Sequence, residues 1–271
     1  MNKVILFIVA LGFLALIYTF FEARILRVKK HSVYSEKLPS EFDGYTIAFI
    51  SDLHNYSRKG LRIRRLVSKI NLLNPDIVLI GGDFNSNSSP DPEVCYRELS
   101  EIQAPKYAVL GNHDYVPHEE LAKSFIKKYG IGNINNKSFW VRRGNSKIKI
   151  GGMDDYWLGY PYPESFLHDL SEDDFSILVC HNPDFFEVFE MKRVSLALAG
   201  HHHGGQCSFF GLWAPMVRSE FGRKYTKSRK LDCGTEFICS NGIGTSHLPV
   251  RFCAIPEINY ITLYTNGENY E

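Results

Sequence analysis

The sequence predicts a mixed α/β (α+β) fold in which two mixed β-sheets pack as a sandwich flanked by helices, preceded by an N-terminal transmembrane helix. Three observations predict it. Val4–Phe21, VILFIVALGFLALIYTFF, is an uncharged apolar run just long enough to cross hydrocarbon as a helix. From Tyr45 onward, five apolar runs of strand length, TIAFI, DIVLI, YAVL, SILVC and LALA, each end in polar residues, and continuous runs of this kind suit strands buried on both faces. Helical periodicity separates the runs in the first half, and strand-like segments dominate the second.

The 271 residues, 44% hydrophobic and 23% charged, suffice for one sizeable core and exclude disordered, collagenous and disulfide-miniprotein classes. Thirty-one basic against thirty acidic residues leave a net charge of +1. No bulk positive field exists to collect nucleic acid, so no nucleic-acid partner is expected. The six cysteines contain no CxxC pair and are expected as reduced thiols; Cys233 and Cys239 are the pair that could bridge in an oxidising compartment.

The apolar run is read as an uncleaved anchor over residues 1–23, because TFFEARILRVKK beyond it lacks an A-x-A-like cleavage site. A signal peptide cut at an unusual site is the alternative. Arg24, Arg27, Lys29 and Lys30 follow the span and only Lys3 precedes it. The positive-inside tendency therefore places a single-pass protein with its domain on the cytoplasmic face, and the phospholipid membrane as a partner. Residues 24–43 read as a membrane-proximal connector and 44–271 as the folded domain. Within it, helices are expected over Arg58–Asn71, Pro92–Ile102 and Glu119–Tyr129. FWVRR, SKIKIGG, EFICS and INYITLY read as further strands, some joined by turns such as Gly144-Asn145.

The residues that follow the five runs carry the chemistry. They are Ser51-Asp52-Leu53-His54, Gly81-Gly82-Asp83, Gly111-Asn112-His113-Asp114, His181-Asn182-Pro183 and Gly200-His201-His202-His203. Loops at the carboxyl ends of strands are where open sheets hold ligands, and imidazole, carboxylate and amide donors suit a first-row transition metal. Alternate residues of an extended segment share a side, so Asp52 and His54 can grip one ion, as can His201 and His203. Gly82 lets the backbone beside Asp83 approach closely, and one carboxylate can bridge two cations. A pair of divalent ions activates water and clamps the attacking and leaving oxygens of a phosphoryl displacement. His31, His118, His168 and His247 are read as ordinary packed or surface histidines.

This ordered set, D-x-H, G-D, G-N-H-D, a solitary H and G-H-x-H, resembles the calcineurin-like metallophosphoesterases over residues 45 to about 265. HNPD (181–184), GHHHGGQ (200–206), FGRKY (221–225) and NGIGTSHLPVRF (241–252) look most like the membrane-tethered bacterial branch. The resemblance implies a metallophosphatase-like fold and two divalent ions, manganese first, with zinc, iron or cobalt as alternatives. It implies that Asp52, His54, Asp83 and His203 hold one ion, and Asp83, Asn112, His181 and His201 the other. His113 is implied as a catalytic group over the scissile phosphate. Where the family often has an acidic residue three positions after the bridging aspartate, this chain has Ser86, so Asp114 is expected to orient His113. His202 is expected beside the ligands or facing solvent.

Arg218, Arg223 and Lys224 are candidates to bind substrate phosphate. The aromatic segments Met153–Tyr160 and Phe209–Trp213 can pack, stack on a base or meet lipid. A tethered hydrolase meets lipid-linked substrates in two dimensions. The expected function is therefore hydrolysis of a phosphodiester or pyrophosphate. The leading substrate is a nucleotide-linked lipid such as UDP-diacylglucosamine, which enzymes of the resembled branch cleave in lipid A synthesis. A phosphomonoesterase and a non-catalytic metal-binding scaffold are the alternatives.

Overall fold

The computed structural model describes residues 3–116, 119–208, 214 and 217–265, so the segment Phe209–Trp213 and His118 lie outside the described residues. Two six-stranded mixed sheets pack face to face. The first has the order β1 (Arg27–Tyr34), β12 (Glu257–Tyr264), β2 (Thr46–Ile50), β3 (Ile77–Ile80), β4 (Lys106–Ala108) and β5 (Gly132–Asn133). The second runs β10 (Arg229–Lys230), β11 (Glu236–Cys239), β9 (Leu196–Ala199), β8 (Ser176–Val179), β7 (Ser146–Gly152) and β6 (Lys137–Arg143).

The apolar runs are continuous because both faces of their strands are covered. Ile47, Phe49, Ile77 and Leu79 point between the sheets, where they meet Ile177, Val179, Leu196 and Leu198. Their neighbours Ala48, Ile50, Val78 and Ile80 point outward, under Ile63, Leu66 and Ile70 of α2 (Leu61–Leu73) and Tyr96 and Leu99 of α3 (Glu93–Ser100). Ala122 and Ile126 of α5 (Glu119–Lys128) complete that layer. On the other sheet, Leu178, Ala197 and Ala199 face Phe166, Phe185 and Phe186. Helix α2 starts three residues later than the periodicity predicts, because Gly60 at its N-cap is left-handed, and it ends at left-handed Asn74 ahead of Pro75.

The expected connector is different in structure. Residues 27–34 of it form β1, which pairs in parallel with β12 over eight positions, and Val33, Leu38 and Phe42 enter the core between the sheets. RVKKHSVY reads as a basic linker because an edge strand carries charge outward. Here Arg27 and Lys29 both pair with the buried carboxylate of Glu257.

Helix α1 (Lys3–Glu22) has a mean hydropathy of 2.8 over its apolar window, and none of that window is buried against the domain. Two short helices escape the periodicity, α4 (Asn112–Tyr115) and α6 (Glu164–Leu167).

Candidate metal centre

Strands β2, β3, β8 and β9 are parallel neighbours within their sheets, and the loops that leave them converge at one pole between the sheets. The Asp83 carboxylate stands at the middle, its Oδ2 3.4 Å from His54 Nε2 and 3.4 Å from His181 Nε2. On one side, His203 Nε2 lies 3.0 Å from His54 Nε2 and 3.4 Å from Asp52 Oδ1. On the other, His181 Nε2 lies 3.1 Å from Asn112 Oδ1 and 3.2 Å from His201 Nδ1. Donors bound about 2.0–2.2 Å from a shared ion stand about 3.0–3.4 Å apart, which is the spacing found. All seven side chains named as ligands are thus brought together, in two groups that meet at Asp83.

The arrangement is held against local preference. Asp52, His54, Asp83, His201 and His203 all have left-handed backbones, with φ of 52°, 39°, 57°, 68° and 51°, a region that L-residues avoid. Five such residues in one nest mark a site that the surrounding fold over-determines. Close approach contributes too: a Cβ on Gly82 would stand 2.4 Å from the Gly111 nitrogen, so two loops touch where only glycine fits. His181 donates from Nδ1 to the Gly81 carbonyl at 2.7 Å, which fixes its ring and turns Nε2 to the centre. The His201 backbone N–H donates to Asp52 at 3.0 Å, leaving carboxylate lone pairs for a cation.

Electrostatics favour cations here. Burial, with the Asp83 charge adding to it, pushes Asp52 up to about 6. Burial pushes His54 down to about 3, a neutral donor at ordinary pH. Burial opposes ionisation of the Asp83–His181 pair, but their mutual charge and hydrogen bond hold Asp83 well below and His181 well above the usual ranges. A divalent cation displaces the proton on His181 and requires Asp52 ionised. The proton on His181 therefore competes with metal even above pH 6, and below about pH 6, where Asp52 also takes up a proton, affinity falls more steeply. A manganese titration is expected to weaken by about tenfold or more per pH unit below that point, with proton release in calorimetry. A pH-independent affinity between pH 5 and 7.5 would contradict this geometry.

His113 stands beside His54 and Asp83, its ring nitrogen within donor-cluster distance of both. Its backbone N–H donates to Asp83 Oδ1 at 2.8 Å, and its ring meets His54 edge-on at 4.8 Å. The group that orients it is Asn87, whose Oδ1 lies 2.7 Å from His113 Nδ1. Asp114 does not do this, contrary to expectation. Its buried carboxylate accepts the backbone N–H groups of Asp83 at 2.7 Å, Phe84 at 2.9 Å and Gly111 at 2.9 Å. Asp114 thus ties two ligand loops together. Ser86 instead donates its hydroxyl to the His54 carbonyl. Asn87 was hidden in the polar run NSNSSP, where no periodicity or motif distinguishes one asparagine from another.

A cavity of about 200 Å³ opens above Asp83, Asn112 and His113 and is walled in part by Arg218, His247, Leu248 and Val250. Arg218 donates to His247 Nε2 at 2.8 Å, so His247 belongs to the site rather than to an indifferent surface. Arg223 and Lys224 are not among the cavity residues: Lys224 pairs with Glu187, and the Arg223 carbonyl closes a turn with Thr226. That loop is fixed by buried Asp184, which accepts from Ser219 Oγ and the Glu220 N–H. His202 is buried, 4.0 Å from Asp184, not solvent-facing. Trp157 packs edge-on against His201 at 4.4 Å, so at this position the aromatic segment 153–160 packs against the centre.

The family model for calcineurin-like phosphoesterases matches residues 45–205. The uncharacterized metallophosphoesterase YkuE of Bacillus subtilis is 32% identical over 90% of this chain and 87% of that protein. The phosphodiesterase YaeI of Escherichia coli is 30% identical over 81% of this chain and 82% of its own length. A transmembrane protein with a metallophosphoesterase domain from Danio rerio is 29% identical over 84% of this chain and 55% of that protein. With this family match and a cluster of candidate metal ligands at the sheet ends, the chain belongs to the calcineurin-like phosphoesterase family and is a metal-dependent phosphoester hydrolase.

Proposed function

We propose that the chain is a membrane-anchored dinuclear hydrolase of phosphodiester or pyrophosphate bonds, with a nucleotide-linked lipid such as UDP-diacylglucosamine as its leading substrate. The observation that carries this reading is Asp83 Oδ2, equidistant at 3.4 Å from imidazoles of two separate donor groups. In it, Asp52, His54, Asp83 and His203 hold one divalent ion, and Asp83, Asn112, His181 and His201 the other. Manganese is the first choice; zinc, iron and cobalt suit the same donors. The ions supply water activation and charge neutralisation at the phosphoryl group.

The chain's own residues do the rest. Asn87 Oδ1 accepts from His113 Nδ1 and so holds the ring, and in the imidazolium form Nε2 donates to phosphoryl or leaving-group oxygen. Arg218 supplies the guanidinium in the cavity, beside His247, placed to hold a substrate phosphate oxygen. Leu248 and Val250 give the same cavity an apolar wall, suited to a substrate arm that is not a sugar or nucleotide. Placement adds to this: α1 has the length and hydropathy of a span, and the basic residues after it favour the cytoplasmic side.

The test is turnover by manganese-loaded full-length protein on nitrophenyl phosphate, bis-nitrophenyl phosphate and UDP-diacylglucosamine. Diester hydrolysis is expected to exceed monoester hydrolysis by about tenfold or more, with UMP released from the lipid. A monoester preference would make the chain a phosphomonoesterase; bound ions without turnover of any of the three would make it a metal-binding scaffold.

A further inference from the structure

The apolar helix and the metal centre meet at the same pole of the domain. β1 is parallel to β12, and β12 is antiparallel to β2, so β1 begins at the carboxyl end of β2, where Asp52 and His54 stand. The last turn of α1 is bonded into that pole. Glu22, fully buried, accepts the backbone N–H groups of Cys253 at 3.0 Å and Ala254 at 2.7 Å. The Thr19 carbonyl accepts the Arg251 N–H at 3.0 Å, and Tyr18 meets Phe252 edge-on at 6.2 Å. Arg251, also fully buried, donates to the carbonyls of Asn241 at 2.5 Å and Ala254 at 2.7 Å, and its Nη2 lies 3.3 Å from Nδ1 of His203.

Residues 244–254 therefore form a strap between the helix end and the metal centre. Its other end is held by Gln206, whose amide donates to the carbonyls of Ser246 at 2.9 Å and Leu248 at 3.2 Å and accepts the Ser246 N–H at 2.8 Å. Between these fixed points the strap presents His247, Leu248 and Val250 to the cavity, and Leu248 is 64% exposed.

We infer that this strap is a bilayer-contact surface, and that a phosphoester bearing a lipid chain reaches the metal centre from the membrane plane without entering bulk water. The inference rests on the reading of α1 as an anchor. A helix of 20 residues spans about 30 Å, the thickness of the hydrocarbon core, so its carboxyl end lies at the interface. Whatever is hydrogen-bonded to that end lies there too. The phosphate then sits by Arg218 and His247, with the chain along Leu248 and Val250 toward the lipid.

Two native cysteines make the test direct. Cys253 is exposed on the strap, and Cys233 is exposed in the turn before β11, at the opposite pole. Full-length Cys207→Ser protein, with either Cys233→Ser or Cys253→Ser added, is labelled with a fluorophore and placed in phosphatidylcholine–phosphatidylglycerol vesicles containing brominated phospholipid. Flotation with the vesicles reports on the anchor alone. Quenching is expected at Cys253 and not at Cys233. In the same vesicles, unmodified full-length protein is expected to hydrolyse nitrophenyl hexadecyl phosphate about tenfold more slowly when host lipid dilutes it about tenfold at constant bulk concentration. Flotation with equal quenching at both sites, or turnover indifferent to lipid dilution, would overturn the contact surface alone. Absence of flotation would overturn the anchor and the contact surface together.

Discussion

Asp83→Asn is expected to reduce phosphodiester turnover by at least about 10²-fold, the scale of losing a principal electrostatic catalyst. The substitution is nearly isosteric, so the fold has little reason to change. Yet it removes the negative charge between His54 and His181, each 3.4 Å away, and an amide does not bridge two cations as a carboxylate does. The Asp83 backbone N–H still reaches Asp114, so the loop keeps its anchor. Activity within threefold of the parent, measured with manganese in excess, would contradict the bridging role.

His113→Ala is expected to lower kcat by about 10²–10⁴-fold, the usual contribution of a positioned proton donor, while both ions stay bound. His113 touches Asp83 through its backbone N–H, which alanine retains. Loss of metal together with activity would make His113 a ligand instead. Asn87→Ala is expected to cost about tenfold, as removal of an orienting partner does, and Asn87→Asp to restore turnover while moving the basic limb of the pH profile upward. The sign follows from charge: a carboxylate at 87 favours the His113 imidazolium, whereas burial now holds that ring below its ordinary value.

Much of the site was legible because it obeys a topological rule. Each apolar run is a strand covered on both faces, and its carboxyl end opens into the ligand loop. Asp52, Asp83 and His181 are therefore legible as ligand candidates from the composition of those loops, and it is the family resemblance that groups them around shared ions. β1 was not legible, since its pairing partner lies about 230 positions away and its alternation of charge and apolar residues is that of any basic linker. The role of Asp114 is hidden in the sequence for a related reason. A carboxylate beside a histidine in sequence looks like its partner, but the short helix at Asn112–Tyr115 turns Asp114 inward onto three backbone N–H groups. Arg223 and Lys224 looked like an anion site, but Lys224 pairs with Glu187, which sequence spacing does not show.

The most direct measurement is the number of manganese ions per chain, with their spin coupling, in full-length protein and in Asp83→Asn. Two coupled ions are expected in the parent, and loss of the coupling with at least one ion in the variant. One ion per chain in the parent, or two ions that Asp83→Asn leaves unchanged, would contradict a dinuclear centre bridged by Asp83.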